Sequence, residues 1–134
     1  MIIDEFKTWA DSEDITYFEH NDGKCLSLHF KGKQANFTCF LKATDFPRRS
    51  IVFESSTGLK IPDDHYFAIS ELICRMNFGL RIGRFDIDYS RGEVLFATSI
   101  MLNSVALTSE LIEPLVYLNL STHDNYYSCL IQLI

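Results

Sequence analysis

Long hydrophobic runs are missing from this sequence, which removes the bilayer as an environment for any of its helices. No stretch approaches the roughly 18–20 apolar residues that span one. Clustered positive charge is missing as well. Lys and Arg number 12 against 18 Asp and Glu, the formal charge is −6, and the densest basic run is Arg48-Arg49. A surface that tracks phosphates needs grouped cations to displace counterions, so nucleic acid and anionic membrane are excluded as expected partners. Met1-Ile2-Ile3-Asp4-Glu5 lacks the basic start and apolar block of a secretory signal, and a cytoplasmic location is the expectation.

Metal and nucleophile patterns are absent too. His20, His29, His65 and His123 never fall at the i, i+4 or Cys-x-x-Cys spacings that zinc sites use. His65 beside Asp63 and Asp64 reads as capping at a helix start. Cys25, Cys39, Cys74 and Cys129 stand far apart among apolar neighbours, which predicts reduced, buried thiols rather than a disulfide frame. A reactive thiolate wants a cationic or helix N-terminal setting, and only Cys74 has a neighbouring cation, Arg75, from which it points away because adjacent helix residues face different ways. Asp86, Asp88 and Glu93 alternate onto one hairpin face next to a tight turn, which suits a solvated face better than an acid–base pair. The glycines of Asn77-Phe78-Gly79-Leu80-Arg81-Ile82-Gly83 follow a helix and open a strand, the reverse of a phosphate loop. No catalytic residue, metal or cofactor is therefore expected.

What the sequence does hold is a core. Its 134 residues are 47% hydrophobic and only 22% charged, with 11 Phe, in the range of one compact domain over 1–134. Ile2, Ile3, Phe6 and Trp9 fall at helical spacing. Period-two alternation over 15–30 surrounds Asp22-Gly23, a hairpin turn signal that sets Tyr17 opposite Leu28 and Ile15 opposite Phe30. A third strand over 34–42 turns Phe37, Cys39 and Leu41 inward, and 50–55 forms a fourth. A loop over 57–61 leads to Pro62-Asp63-Asp64, which opens a helix with Tyr66, Ile69, Ile73 and Met76 along one stripe. Gly79 is placed to end it in a left-handed conformation, and Gly83 to admit close packing in a strand. A second hairpin, 80–88 and 93–101, sets Phe85 and Ile87 opposite Phe96 and Val94. Thr108 caps a final helical region through Leu111, Leu115, Leu118, Leu130 and Leu133. Pro114 either bends that helix or starts it. The expected fold is α+β, an antiparallel sheet with helices packed on one face, in the order α-β-β-β-β-α-β-β-α.

Several positions of the second half line up with a known pattern. These are Asn77, Phe78, Gly79, Gly83, Phe85, Asp86, Gly92, Glu93, Val94, Leu107, Thr108, Glu110, Ile112, Asn119, Leu120, Asp124 and Tyr126. Over 76–130 the chain thereby resembles the YbjN family, described as bacterial regulators of sensory transduction. It departs from that pattern at Asp86, His123, Asn125 and Ser128. The resemblance implies a type III secretion chaperone-like fold and a non-enzymatic, regulatory or chaperone-like role. Among the signature positions, Asn77, Gly79, Gly83, Phe85, Gly92, Asp124 and Tyr126 read as structural.

Excess apolar surface is the remaining signal. Phe18 and Phe40 fall on outer strand faces, and 126–134 is apolar nearly all round. Leu115, Leu118, Tyr127 and Leu130 are the candidate interface, for an unidentified protein partner or a second copy of the chain. The alternative is a small-molecule sensor with its pocket between sheet and helices.

Overall fold

Turn chemistry sets the first hairpin. Asn21, Asp22 and Gly23 all adopt positive φ, so the loop between β1 (Tyr17–His20) and β2 (Cys25–Lys31) is four residues long rather than two. Lengthening it by one residue on each side preserves the register, and Tyr17 stands opposite Leu28 as expected. Ile15 lies before β1 and makes no strand pair with Phe30.

The computed structural model describes residues 1–134. A helix, α1 (Ile2–Ser12), precedes the hairpin; β3 (Asn36–Thr44) and β4 (Ser50–Lys60) follow it. Next come a short 3-10 turn at Asp63–His65, α2 (Tyr66–Gly79), β5 (Arg84–Asp88) and β6 (Glu93–Met101). The C-terminal helical region is α3 (Ser109–Glu113), a π-helical turn (Pro114–Leu118) and α4 (Asn119–Leu133). The six strands form one antiparallel sheet, in the order β1-β2-β3-β4-β6-β5. β4 runs through the expected 57–61 loop to Lys60, with an irregularity between Ser56 and Lys60 that absorbs the left-handed Gly58.

Cross-strand partners share a face, so Leu28, Cys39, Ser55, Phe96 and Phe85 form one row across the sheet and Leu26, Leu41, Phe53 and Thr98 another. The helices cover this side. Ile2, Phe6, Trp9, Ile112, Leu115 and Val116 pack with Leu26, Leu28, Leu41 and Phe53 in a cluster of 17 buried residues. A second cluster of 8 joins Ile69, Ile73, Met76 and Leu130 to Phe85, Val94 and Phe96. These two clusters form the layer between sheet and helices.

Two glycines behave differently from expectation. Gly79 ends α2 without entering the left-handed region, and a Cβ there would meet nothing within 4 Å. Leu80 takes extended backbone instead and its amide bonds back to the Asn77 carbonyl. Gly83 is the constrained one. It precedes β5 with φ +82°, and an added Cβ would lie 2.6 Å from Cζ of Phe96. Two alanine substitutions separate these roles by urea denaturation. Gly83→Ala is expected to cost about 2–3 kcal/mol, from backbone strain plus displacement of a core ring. Gly79→Ala is expected to be neutral or slightly stabilising.

Candidate partner-binding surface and its scaffold

Pro114 has no N–H to give the carbonyl one turn earlier, and the chain neither breaks nor restarts there. It widens into the π turn, a feature that recurs at functional sites. The Leu115 carbonyl is then taken by the sheet: the Thr98 hydroxyl donates to it at 2.6 Å. One turn on, the fully buried Asn119 amide donates to the carbonyls of Phe53 and Phe96, both at 3.0 Å, and to Thr98 Oγ1 at 3.2 Å. Its oxygen accepts from Ser55 Oγ at 2.6 Å.

Proton counting fixes the next link. With the single Ser55 hydroxyl proton given to Asn119, the His123 Nδ1 that lies 2.8 Å from Ser55 Oγ must be the donor. Nδ1 of His123 therefore carries a proton, while its buried Nε2 has no partner, an arrangement that suits the neutral ring. The Phe37, Phe85 and Phe96 rings surround it, with centroids at 5.2, 5.5 and 6.2 Å. Burial pulls its pKa down to about 4, against the opposing pull of Asp124.

Two further side chains clamp backbone. The Asp124 carboxylate accepts the amides of Lys33, Gln34 and Ala35 at 3.0, 3.0 and 3.1 Å, fastening the β2–β3 loop to α4. Gly32 makes room for it, since a Cβ there would lie 2.5 Å from Asp124 Oδ1. Asn77 accepts the Phe85 amide at 2.8 Å and donates to the Phe85 carbonyl at 3.0 Å. It thus occupies the outer edge of β5 as a neighbouring strand would, and holds α2 beside the sheet.

The signature positions therefore fall in several places. Asn77 and Asp124 are clamps; Phe85 centres an aromatic cluster with Phe96 at 4.6 Å and Tyr126 at 5.6 Å. Gly92 lies under the Tyr66 hydroxyl, 2.9 Å from where its Cβ would be, and Gly83 lies under Phe96. The expected interface divides. Leu115 and Leu130 are core, only 3% and 1% exposed, packed in the first and second clusters respectively. Leu118 and Tyr127 reach the surface. Cys25 and Cys39 are buried as expected, but Cys74 and Cys129 are exposed, since each lies opposite the buried stripe of its helix. Glu93 is not a solvated carboxylate. Burial alone would raise its pKa, but hydrogen bonds from Lys60 at 2.8 Å and Ser56 at 2.5 Å hold it down.

The largest exposed apolar groups were not anticipated: Phe67 is 88% and Phe78 is 95% solvent-exposed. With Glu71 and Cys74 they form one stripe of α2, at i, i+4, i+7 and i+11, opposite the buried Ile69, Ile73 and Met76. The sequence does show the spacing, but a helix apolar on two sides reads as fully buried until its neighbours are known.

Two predictions follow from the buried network. Asn119→Leu takes the amide donor from two carbonyls and the acceptor from the Ser55 hydroxyl, and an expected loss of about 2–4 kcal/mol is measurable by chemical denaturation. For His123, folded and unfolded chains are both neutral above about pH 6.5. As pH falls from there to about 4, the unfolded imidazole takes a proton that the buried one refuses. Stability should drop over that window by on the order of 3 kcal/mol. A His123→Gln variant should lack that component of the slope.

The sequence profile of the YbjN family, described as "putative bacterial sensory transduction regulator", matches residues 3–132. Among solved structures, a chain of the ExsC-ExsE complex superposes with TM-score 0.67 at 17% identity, covering 94% of this chain and 90% of that one. YbjN from E. coli, described as a putative transcription regulator, superposes with TM-score 0.67 at 13% identity, covering 94% and 91%. No functionally curated protein matches the sequence. The fold is thus the type III secretion chaperone-like one, and the chain belongs to the YbjN family.

Proposed function

We propose that this protein is a non-enzymatic, partner-binding regulatory or chaperone-like module that uses the outer face of α2 to hold a partner protein or a second copy of itself. The observation that carries this reading is the pair Phe67 and Phe78, 88% and 95% exposed on one stripe. Eleven positions separate them, so the two rings stand about 16 Å apart along the helix axis. Ile82, 58% exposed, extends the surface past the helix end. Scattered apolar residues are ordinary on a protein surface, but aromatic groups aligned on one rigid face mark interfaces.

The scaffold supports that use. Asn77 fixes α2 to β5, so the stripe is presented without ordering cost on binding. The Glu71–Arg75 pair, at 3.3 Å, lies between the two rings and adds a polar centre of both signs. The likeness to a chain crystallised in the ExsC-ExsE complex is consistent with protein binding by this fold.

The double variant Phe67→Ser/Phe78→Ser separates surface function from stability. Both side chains are solvent-exposed, so the unfolding free energy should change by less than about 1 kcal/mol. Hydrophobic-dye binding should fall several-fold, and any self-association seen by sedimentation should weaken. A native chain that sediments as a strict monomer and binds no dye would defeat the proposal.

A further inference from the structure

The sheet face turned away from the helices carries a polar cavity of about 280 Å³. On that face Cys25, Ser27, Ser56 and Ala97 are 9%, 6%, 5% and 1% exposed, although the helices of both apolar cores pack on the other side. On the cavity floor Phe40 and Glu54 are cross-strand partners, and Lys42 follows Phe40 on the same face. Lys42 Nζ meets Glu54 Oε1 at 2.6 Å. From the β5–β6 turn, the Arg91 guanidinium reaches over the Phe40 ring, 5.6 Å from its centroid.

The remaining polar groups are already engaged. Asp88 Oδ1 accepts from the Ser90 amide, the Ser90 hydroxyl and the Arg91 amide, and His20 is bonded to Ser27 at 2.7 Å. Arg91 approaches Asp88 only to 4.0 Å, which leaves its donors to the cavity it lines. Two cations, Lys42 and Arg91, and two carboxylates, Glu54 and Asp88, therefore line the cavity around an aromatic floor, and Asp88 is held by its own turn. The volume falls just below the roughly 300–1,000 Å³ of drug-sized sites.

We infer that this cavity binds a small zwitterion of the free α-amino-acid class, its carboxylate between Arg91 and Lys42 and its ammonium on Glu54. Planar guanidinium forks suit carboxylates, and stacking on Phe40 preorients this one. The site is separate from the α2 stripe and does not depend on the role proposed for it.

The test is a thermal-shift screen of the full chain against the common free amino acids at millimolar concentration, followed by calorimetry. Matched N-acetyl and carboxamide derivatives remove one charge each. At least one amino acid should raise the melting temperature, while its two derivatives do not. Arg91→Ala and Lys42→Met should each weaken binding by about tenfold or more, with circular dichroism unchanged. Absence of any shift across the screen would overturn the inference. So would equal binding of the singly charged derivatives, or binding that survives both substitutions.

Discussion

One carboxamide ties this fold together. Asn119 lies where β4 and β6 meet the C-terminal helix, and its amide and oxygen reach carbonyls and hydroxyls from both strands. A buried amide without partners is costly, so only one rotation of α4 about its own axis satisfies it. That rotation turns His123 and Leu130 inward and carries Asp124 to the β2–β3 loop. The π turn belongs to the same arrangement. A proline would ordinarily break the helix, yet Thr98 accommodates the altered turn by bonding the Leu115 carbonyl.

Several of the polar groups that matter to this architecture answer backbone atoms as well as one another. Asn77 satisfies both edge groups of Phe85, Asp124 three loop amides, and Asn119 two strand carbonyls. Each contact joins two different elements, near in sequence for Asn77 and far apart for Asp124, and orients them more strictly than apolar packing alone would, because hydrogen bonds are directional. The result is a rigid frame in which α2 has one face in the core and the other in solvent. A helix held this way can offer aromatic side chains to a partner with little loss of conformational freedom. The opposite sheet face is of another character, with charge and an aromatic floor in place of an apolar stripe.

Much of this was legible in the residues. Alternation around Asp22-Gly23 and the pairing of Phe85 with Phe96 fixed strand registers, since a slip by one residue would exchange the two faces. The α2 stripe of Ile69, Ile73 and Met76 was equally plain. Local spacing carries such information because strand and helix periods are properties of the chain itself. The resemblance to the family correctly indicated the fold.

Other features depend on what lies across space, which spacing does not encode. Whether Leu115 and Leu130 or Phe67 and Phe78 would be covered turned on how the C-terminal helical region and α2 dock on the sheet, each held by a hydrogen-bond partner in another element. The partners of His123 and Asp124 are separated from them by 68 and 91 residues, for Ser55 and Lys33 respectively. The meeting of Arg91 with Phe40 likewise joins the β5–β6 turn to β3, far from it in sequence. The sequence alone thus determined the strand and helix patterns and the absence of familiar metal or nucleophile motifs. Tertiary structure decided which apolar faces stay in water and which charges converge, because burial is settled by neighbours that only folding brings together.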